Sequence, residues 1–197
     1  MHADKNPNPQ GKGVAPLLAD WQATRPARAA AKAPGELLLD WFNSALVLSA
    51  AFRFRPVQGQ DYYLYLRDGA WRLSLIGPDE WGARDAGECL GRCRLRADMT
   101  WAIEPQADLA QRRELRQALA ALASGFLDAL DHDGAADDLL PGYRRDLSYF
   151  QRLLATGIGS SLRASLAEAG AATLSARTLR DAGETVLLGA GGQAPPP

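Results

Sequence analysis

The pair Asp68-Gly69 constrains this chain more than any other feature. It lies between two alternating runs within "DYYLYLRDGAWRLSLIGPDEWG", Asp61 to Gly82. Both residues tolerate positive φ, so the pair favours a two-residue primed turn whose twist suits the flanking strands. Such a turn fixes register: Arg67 faces Ala70, Leu66 faces Trp71, Tyr65 faces Arg72, Leu64 faces Leu73, Tyr63 faces Ser74 and Tyr62 faces Leu75. Side chains then divide by parity. Tyr62, Leu64, Leu66, Trp71, Leu73 and Leu75 make a core face, each cross-strand pair adding roughly 0.2–1 kcal/mol over a small-residue pair. Tyr63, Tyr65, Arg67, Arg72 and Ser74 make the other face.

The neighbouring text extends this sheet. "FRFRPV" alternates aromatic and arginine, which predicts a strand, with Pro56 marking an edge or an end. If Phe52 and Phe54 face the core, Arg53 and Arg55 face away. "ECLGRCRLRADMTWAIEP" supplies one or two strands, with Cys93 and Leu95 inward and Arg92, Arg94 and Arg96 outward. The links are too short for helical crossovers, so the expectation is an antiparallel meander of four or five strands over about 52–104.

Helices flank it. One begins near Pro34, with proline in its first turn, Glu36 at the positive dipole end, and a stripe of Leu38, Phe42, Ala45, Leu48 and Phe52. Apolar residues on both sides of the stripe predict burial on more than one face. After Pro105, Leu115, Leu119, Leu122, Phe126 and Leu130 fall on one helical face, with Arg112, Arg113, Glu114 and Arg116 at or near the other. A further helix carries Tyr143, Leu147, Phe150 and Leu154, with an interruption expected at Gly157 and Gly159 before a shorter helix holding Leu162 and Leu166. The fold class is α+β: a small antiparallel sheet packed with an N-terminal helix and two or three C-terminal helices. A single domain is expected over 16–169, opening with a short helix that carries Leu17, Leu18 and Trp21. A disordered tail over 1–15 and a low-complexity, weakly ordered tail over 170–197 flank the domain.

Composition removes several function classes. Lys plus Arg is 22 against 23 Asp plus Glu, a formal net charge of -1, so no global field favours nucleic acid or an anionic membrane. Any basic site must come from local clustering. Cys89, Cys93, His2 and His132 are the only cysteines and histidines, and a zinc site would need nearly all of them. The cysteines read as small buried hydrophobes with free thiols. No metal and no cofactor is expected. "GKG" near the start lacks the rest of a phosphate loop, "GIGSS" is not a nucleophile elbow, and the glycines at 189, 191 and 192 open no helix. The acidic turn at Asp131, Asp133 and Asp137 mimics a calcium loop when Gly134 is aligned, but Ala129 and Leu140 then occupy two essential ligand positions. Those acids are expected to solvate a helix end. The N-terminus has no apolar signal region, and "ELLLDWFNSALVLSAAF" carries Asp40, Asn43 and Ser44 and is short for a bilayer, so a cytoplasmic protein without membrane contact is expected.

Two site hypotheses remain, with a third for assembly. The first is a non-enzymatic binding face of Tyr63, Tyr65, Arg67, Arg72, Arg92, Arg94 and Arg96, suited to an acidic protein segment or single-stranded RNA. On it, Tyr65 beside Arg72 would make a cation–π pair of ~0.5–1 kcal/mol. The competing expectation is a face left in water, or one roofed by the helices after Pro105 with its arginines paired to acids. The second is an enzyme pocket at the strand ends built from Glu80, Trp81, Asp98 and Trp101, which requires Glu80 and Asp98 to converge. Their structural roles would be a turn cap for Glu80, a core plug for Trp81, and an Asx turn for Asp98 before Trp101. The third is a structural or assembly role, needing a long apolar patch on the helix at 35–52.

The run Tyr62-Tyr63-Leu64-Tyr65, Ser74, Ile76, Pro78, Glu80-Trp81-Gly82, Leu90-Gly91, Leu95, Asp98 and Trp101 resembles the core of a domain-of-unknown-function family found in uncharacterised bacterial and eukaryotic proteins. The resemblance covers about a quarter of the chain. It implies a shared β-rich core and a cytosolic setting, and it transfers no activity.

Overall fold

Asp68 and Gly69 take positive φ, 53° and 72°, and close the turn between β1 (Asp61–Arg67) and β2 (Ala70–Ser74). The computed structural model describes residues 26, 30–82 and 84–190, with side chains to 185. Five pairs, from Arg67–Ala70 to Tyr63–Ser74, stand in the register that the turn dictates. The expected sixth, Tyr62 with Leu75, is not made. β2 ends at Ser74, whose hydroxyl accepts the Ile76 N–H at 2.9 Å and turns the chain out of the sheet, leaving Leu75 exposed.

β3 (Glu88–Leu95) pairs antiparallel with β1, and β4 (Trp101–Pro105) pairs antiparallel with β3. The strand order is therefore β2-β1-β3-β4 rather than sequential. β2 and β3 flank β1 and run parallel to each other, so the segment 75–87 that joins them must cross one face of β1. It crosses the outer face, where Trp81 meets the Tyr65 ring and Gly77 lies against Tyr63. This crossing replaces part of the expected meander. A bulge shifts register between Leu64 and Tyr65: Leu64 faces Gly91 and Tyr65 faces Cys89, so Leu90 is the extra residue. The extra residue reverses parity, which puts Cys89 on the outer side with Tyr65.

"FRFRPV" is not a strand. Only Ala51 joins the sheet, through a parallel bridge to Arg72 in which the Ala51 N–H donates to Trp71 O and the Leu73 N–H donates to Ala51 O. The alternation still sorts side chains. Phe52 is buried, Phe54 stacks on Tyr62 at 5.5 Å, and Arg53 and Arg55 are exposed. The bridge also covers part of the edge of β2 that would otherwise offer unpaired backbone.

α1 (Pro34–Ser49) crosses the inner face and touches β4 and β2. It buries Leu37, Leu38, Trp41, Phe42, Leu46 and Val47, so apolar side chains leave it on more than one face, as the flanking residues required. Most of the apolar surface of this helix is therefore spent in the core. α2 (Arg113–Ala129) lays Leu115, Leu119, Leu122 and Phe126 toward that core, and Phe126 meets Trp41 and Phe42 edge-on at 5.6 and 5.5 Å.

α3 (Tyr149–Glu168) runs unbroken for 20 residues through Gly157 and Gly159. The expected interruption fails, and Gly159 serves packing rather than flexibility. A Cβ on Gly159 would collide with the Pro141 carbonyl oxygen. Tyr143 and Leu147 precede α3 in a loop, and the helix opens on a capping box of Ser148 and Gln151.

α4 (Ala176–Ala190) corrects the expectation of weak order from residue 170. Ala176 and Leu179 are buried, and a Cβ on Gly183 would come 2.8 Å from Leu38 Cδ2. The small residues that made this stretch look low in complexity let the helix sit close against α1. The tail at 1–15 and the short helix expected around Leu17, Leu18 and Trp21 lie outside the described residues. Among the described residues no helix is long and apolar enough to cross a membrane.

Candidate anion-binding recess

Parity places Tyr65 on the outer face of β1, and the crossing segment then buries it to 2% exposure. Its hydroxyl donates to Ile76 O at 2.9 Å and accepts the Trp81 indole N–H at 3.0 Å. The two rings meet edge-on at 5.8 Å. Burial pushes the phenol up to about 12, against a smaller downward pull from the indole N–H. Tyr65 therefore offers no open ring for stacking. The roof over this face is the segment 75–87, not the helices after Pro105. Tyr63 is half-buried beneath Gly77. The cation over an aromatic ring here is Arg84 above Trp81 at 5.6 Å, in place of the expected Arg72–Tyr65 pair.

The crossing segment does not reach the β2 edge. There it leaves a recess of about 390 Å³ lined by Tyr65, Trp81 and Ser74 and by three arginines, Arg53, Arg67 and Arg72. Arg67 and Arg72 arrive by alternation on β1 and β2. Arg53 arrives through the Ala51 bridge, which carries the chain alongside β2. Arg67 is steadied by its Nη1 donating to Asp85 O at 2.9 Å and by Asp68 at 3.5 Å. Arg53 and Arg72 are exposed and meet no acid among the described residues. A concave wall carrying unpaired guanidinium groups concentrates positive potential that the chain's net charge does not reveal.

The remaining arginines of the expected face are neutralised. Arg92 pairs with Glu104, its cross-strand partner, and with Asp61 at 3.5 Å. Arg94 pairs with Asp61 at 2.5 Å. Arg96 lies past the end of β3 and turns back to Asp40 of α1 at 2.6 Å. Of the seven residues proposed from sequence, Tyr65, Arg67 and Arg72 meet at the recess, Tyr63 lies beside it, and Arg92, Arg94 and Arg96 do not join it. Arg53 was missing from that set. Its signal was the alternation of "FRFR", which held for sidedness although no strand formed.

The carboxylate alternative comes apart spatially. Glu80 accepts the Gly77 N–H at 3.3 Å in the turn Pro78–Glu80 on the outer face. Asp98 accepts the Thr100 N–H at 3.0 Å and hydroxyl at 2.7 Å, the expected Asx turn, and pairs with Lys32 at 2.6 Å. Among the described residues the two share no hydrogen-bond or ion-pair partner. Trp81 packs on Tyr65, whereas Trp101 is fully buried against Tyr62. Asp98 belongs to a network in which Lys32 also bonds Asp40 at 2.6 Å. Burial disfavours the Lys32 ammonium, but its bonds to Asp40 and Asp98 outweigh that and hold it above its ordinary value. Burial likewise opposes the Asp98 charge, yet Lys32 and Thr100 bring its carboxyl below the usual range.

The acidic loop is held by arginines rather than left to water. Arg177 bonds Asp131 and Asp133 at 2.7 Å each, and Arg163 bonds Asp137 at 2.6 Å. Cys89 and Cys93 are buried free thiols, and burial pushes Cys93 up to about 12.

No solved structure matches this chain. A family model described as "Protein of unknown function" matches residues 35–124, a span that contains the whole run from Tyr62 to Trp101 on which the resemblance rested. Residues 35–124, from the start of α1 into α2, are thus similar to the DUF2452 family of proteins of unknown function.

Proposed function

We propose that this protein is a non-enzymatic binding module that takes an acidic segment of another protein at the arginine recess. One observation carries the reading: Arg53 and Arg72, without acid partners among the described residues, converge with Arg67 on a concave site beside Trp81. Guanidinium groups pair bidentately with carboxylates, and a recess this size admits one or two acidic side chains. Single-stranded RNA is the weaker ligand on this surface, because such binders present successive open aromatic faces and Tyr65 is enclosed. The separation of Glu80 from Asp98 argues against a carboxylate enzyme. Two buried, unpaired thiols suit a reducing cytoplasm.

The test is fluorescence anisotropy with a labelled oligoglutamate peptide and a labelled single-stranded RNA across salt. The peptide is expected to bind at low salt. The pair Arg53→Glu and Arg72→Glu should weaken it at least about tenfold, or 1.4 kcal/mol, while Arg113→Glu on the exposed face of α2 should not. Tighter RNA binding, with a log–log salt slope near -0.7 per phosphate, would replace the acidic segment by nucleic acid. Absence of binding to either ligand overturns the reading.

A further inference from the structure

The recess is not isolated. Ala51 and Ala70 line it and also line a larger cleft of about 910 Å³. That cleft lies between the C-terminal half of α1, the edge of β2, α2 and the loop before α3. Its apolar wall is Trp41, Leu48, Trp71, Leu122, Phe126 and Leu139. Its polar groups are already engaged. Arg144 and Asp146 pair with each other at 2.6 Å, and the Gln151 amide donates to the carbonyls of Leu48 and Ala50 at 3.2 and 3.0 Å. The cleft therefore recognises apolar side chains and carries no net charge of its own. The recess beside it carries three guanidinium groups and recognises carboxylates. Only two alanines stand at the junction, so nothing bulky separates the two chemistries.

We infer that cleft and recess form one continuous docking surface for an amphipathic helical segment of a partner protein. Its apolar anchors fill the cleft and a cluster of Asp or Glu at one end enters the recess. The inference rests on the acidic-segment reading above and adds the apolar half of the ligand. Charge complementarity fixes the partner: an apolar segment with a basic flank would meet Arg53, Arg67 and Arg72 with like charge. The helical form follows from the walls, since a cleft between two helices receives a helix through anchors one turn apart.

The probe is a displayed library of random peptides long enough for four helical turns, selected on the full chain. The selection is repeated on Arg72→Glu and on Leu139→Glu, with folding of each variant verified by circular dichroism. Both positions are exposed, Leu139 at 37%. The expected result is peptides that combine apolar residues at helical spacing with an adjacent acidic cluster. Arg72→Glu should remove the acidic cluster from the selected set, and Leu139→Glu should remove the apolar spacing. Acidic peptides without apolar spacing overturn this inference and leave the recess reading standing. Apolar peptides without acids overturn both. Enrichment only after deletion of residues 1–25 makes the chain's own N-terminus the occupant, and dimerisation abolished by Leu139→Glu makes it a second copy; either overturns the inference. No enrichment on any form does the same.

Discussion

Tyr65 has the chemistry of a stacking platform and the burial of a core residue. Its hydroxyl is used twice, toward Ile76 and Trp81, so Tyr65→Phe leaves a carbonyl and an indole N–H without their partner. The expected loss is about 1–2 kcal/mol, read as a lower urea midpoint with an unchanged slope. The pH dependence follows from a phenol raised to about 12 in the folded protein. An unfolded tyrosine ionises near ~10, so the unfolded state loses its proton first. The contribution is complete below that value and falls as pH rises toward 12. Tyr65→Phe should therefore lose less stability on that alkaline limb than the natural chain, and an equal alkaline slope would refute the enclosed phenol. The parity of Tyr65 was legible in sequence because a two-residue period is local. Its burial was not, because the cover comes from a segment whose path depends on which strands pair.

At the scale of elements, two glycines in helices test what each is for. Gly125 in α2 has open space where a Cβ would stand, and Gly159 in α3 faces the Pro141 carbonyl oxygen. Gly125→Ala should gain about 0.5–1 kcal/mol from helix propensity. Gly159→Ala should lose about 1–3 kcal/mol despite the same propensity, because the loop at Pro141 must shift. Thermal unfolding of the two variants in parallel gives the comparison, and equal signs would mean that α3 does not approach this loop. The same distinction explains what sequence reading missed. Glycine at 157 and 159, and the Ala and Gly content after 170, resemble breaks and low complexity. In α3 and α4, Gly159 and Gly183 are instead places where the helix meets a loop carbonyl or a leucine side chain. Composition cannot separate these cases, since both use residues without bulk. The hairpin was readable because Asp68-Gly69 has few other uses between alternating runs.

Across the whole molecule, the ends are tied to the middle. Lys32, just before α1, and Asp40, within it, are joined to the β3–β4 turn through Asp98 and Arg96. Asp98→Asn should cost about 1–3 kcal/mol at neutral pH by weakening a charge-assisted bond. The Asp98 carboxyl is held below its usual range, so its contribution is present above the unfolded value near ~4 and is lost as pH falls through the folded one. The difference between natural chain and variant should therefore shrink below that pH in denaturant titrations, and a constant difference would remove Asp98 from the network.

The C-terminal helices make a larger claim. The family match ends at residue 124, yet Leu154, Ile158, Leu162 and Leu166 of α3 and Leu179 of α4 share one core with Leu37, Leu64 and Trp101. Each buried aliphatic side chain contributes roughly 1.5–3 kcal/mol, so removing α3 and α4 sacrifices a sum comparable to the ~5–15 kcal/mol stability of a whole domain. It also bares Leu38, against which Gly183 packs. A fragment of residues 30–130 carries the entire sheet with α1 and α2 and all of the matched span. It is expected to bind the dye ANS and to melt without a cooperative transition, while the full chain unfolds cooperatively. A sharp, dye-silent transition in the fragment would mean that the sheet and α1 hold a sufficient core alone. Failure to fold would mean that the unit carrying the recess is larger than the matched span, and that the cleft, whose far wall includes Leu139 and Leu147, exists only where α3 follows.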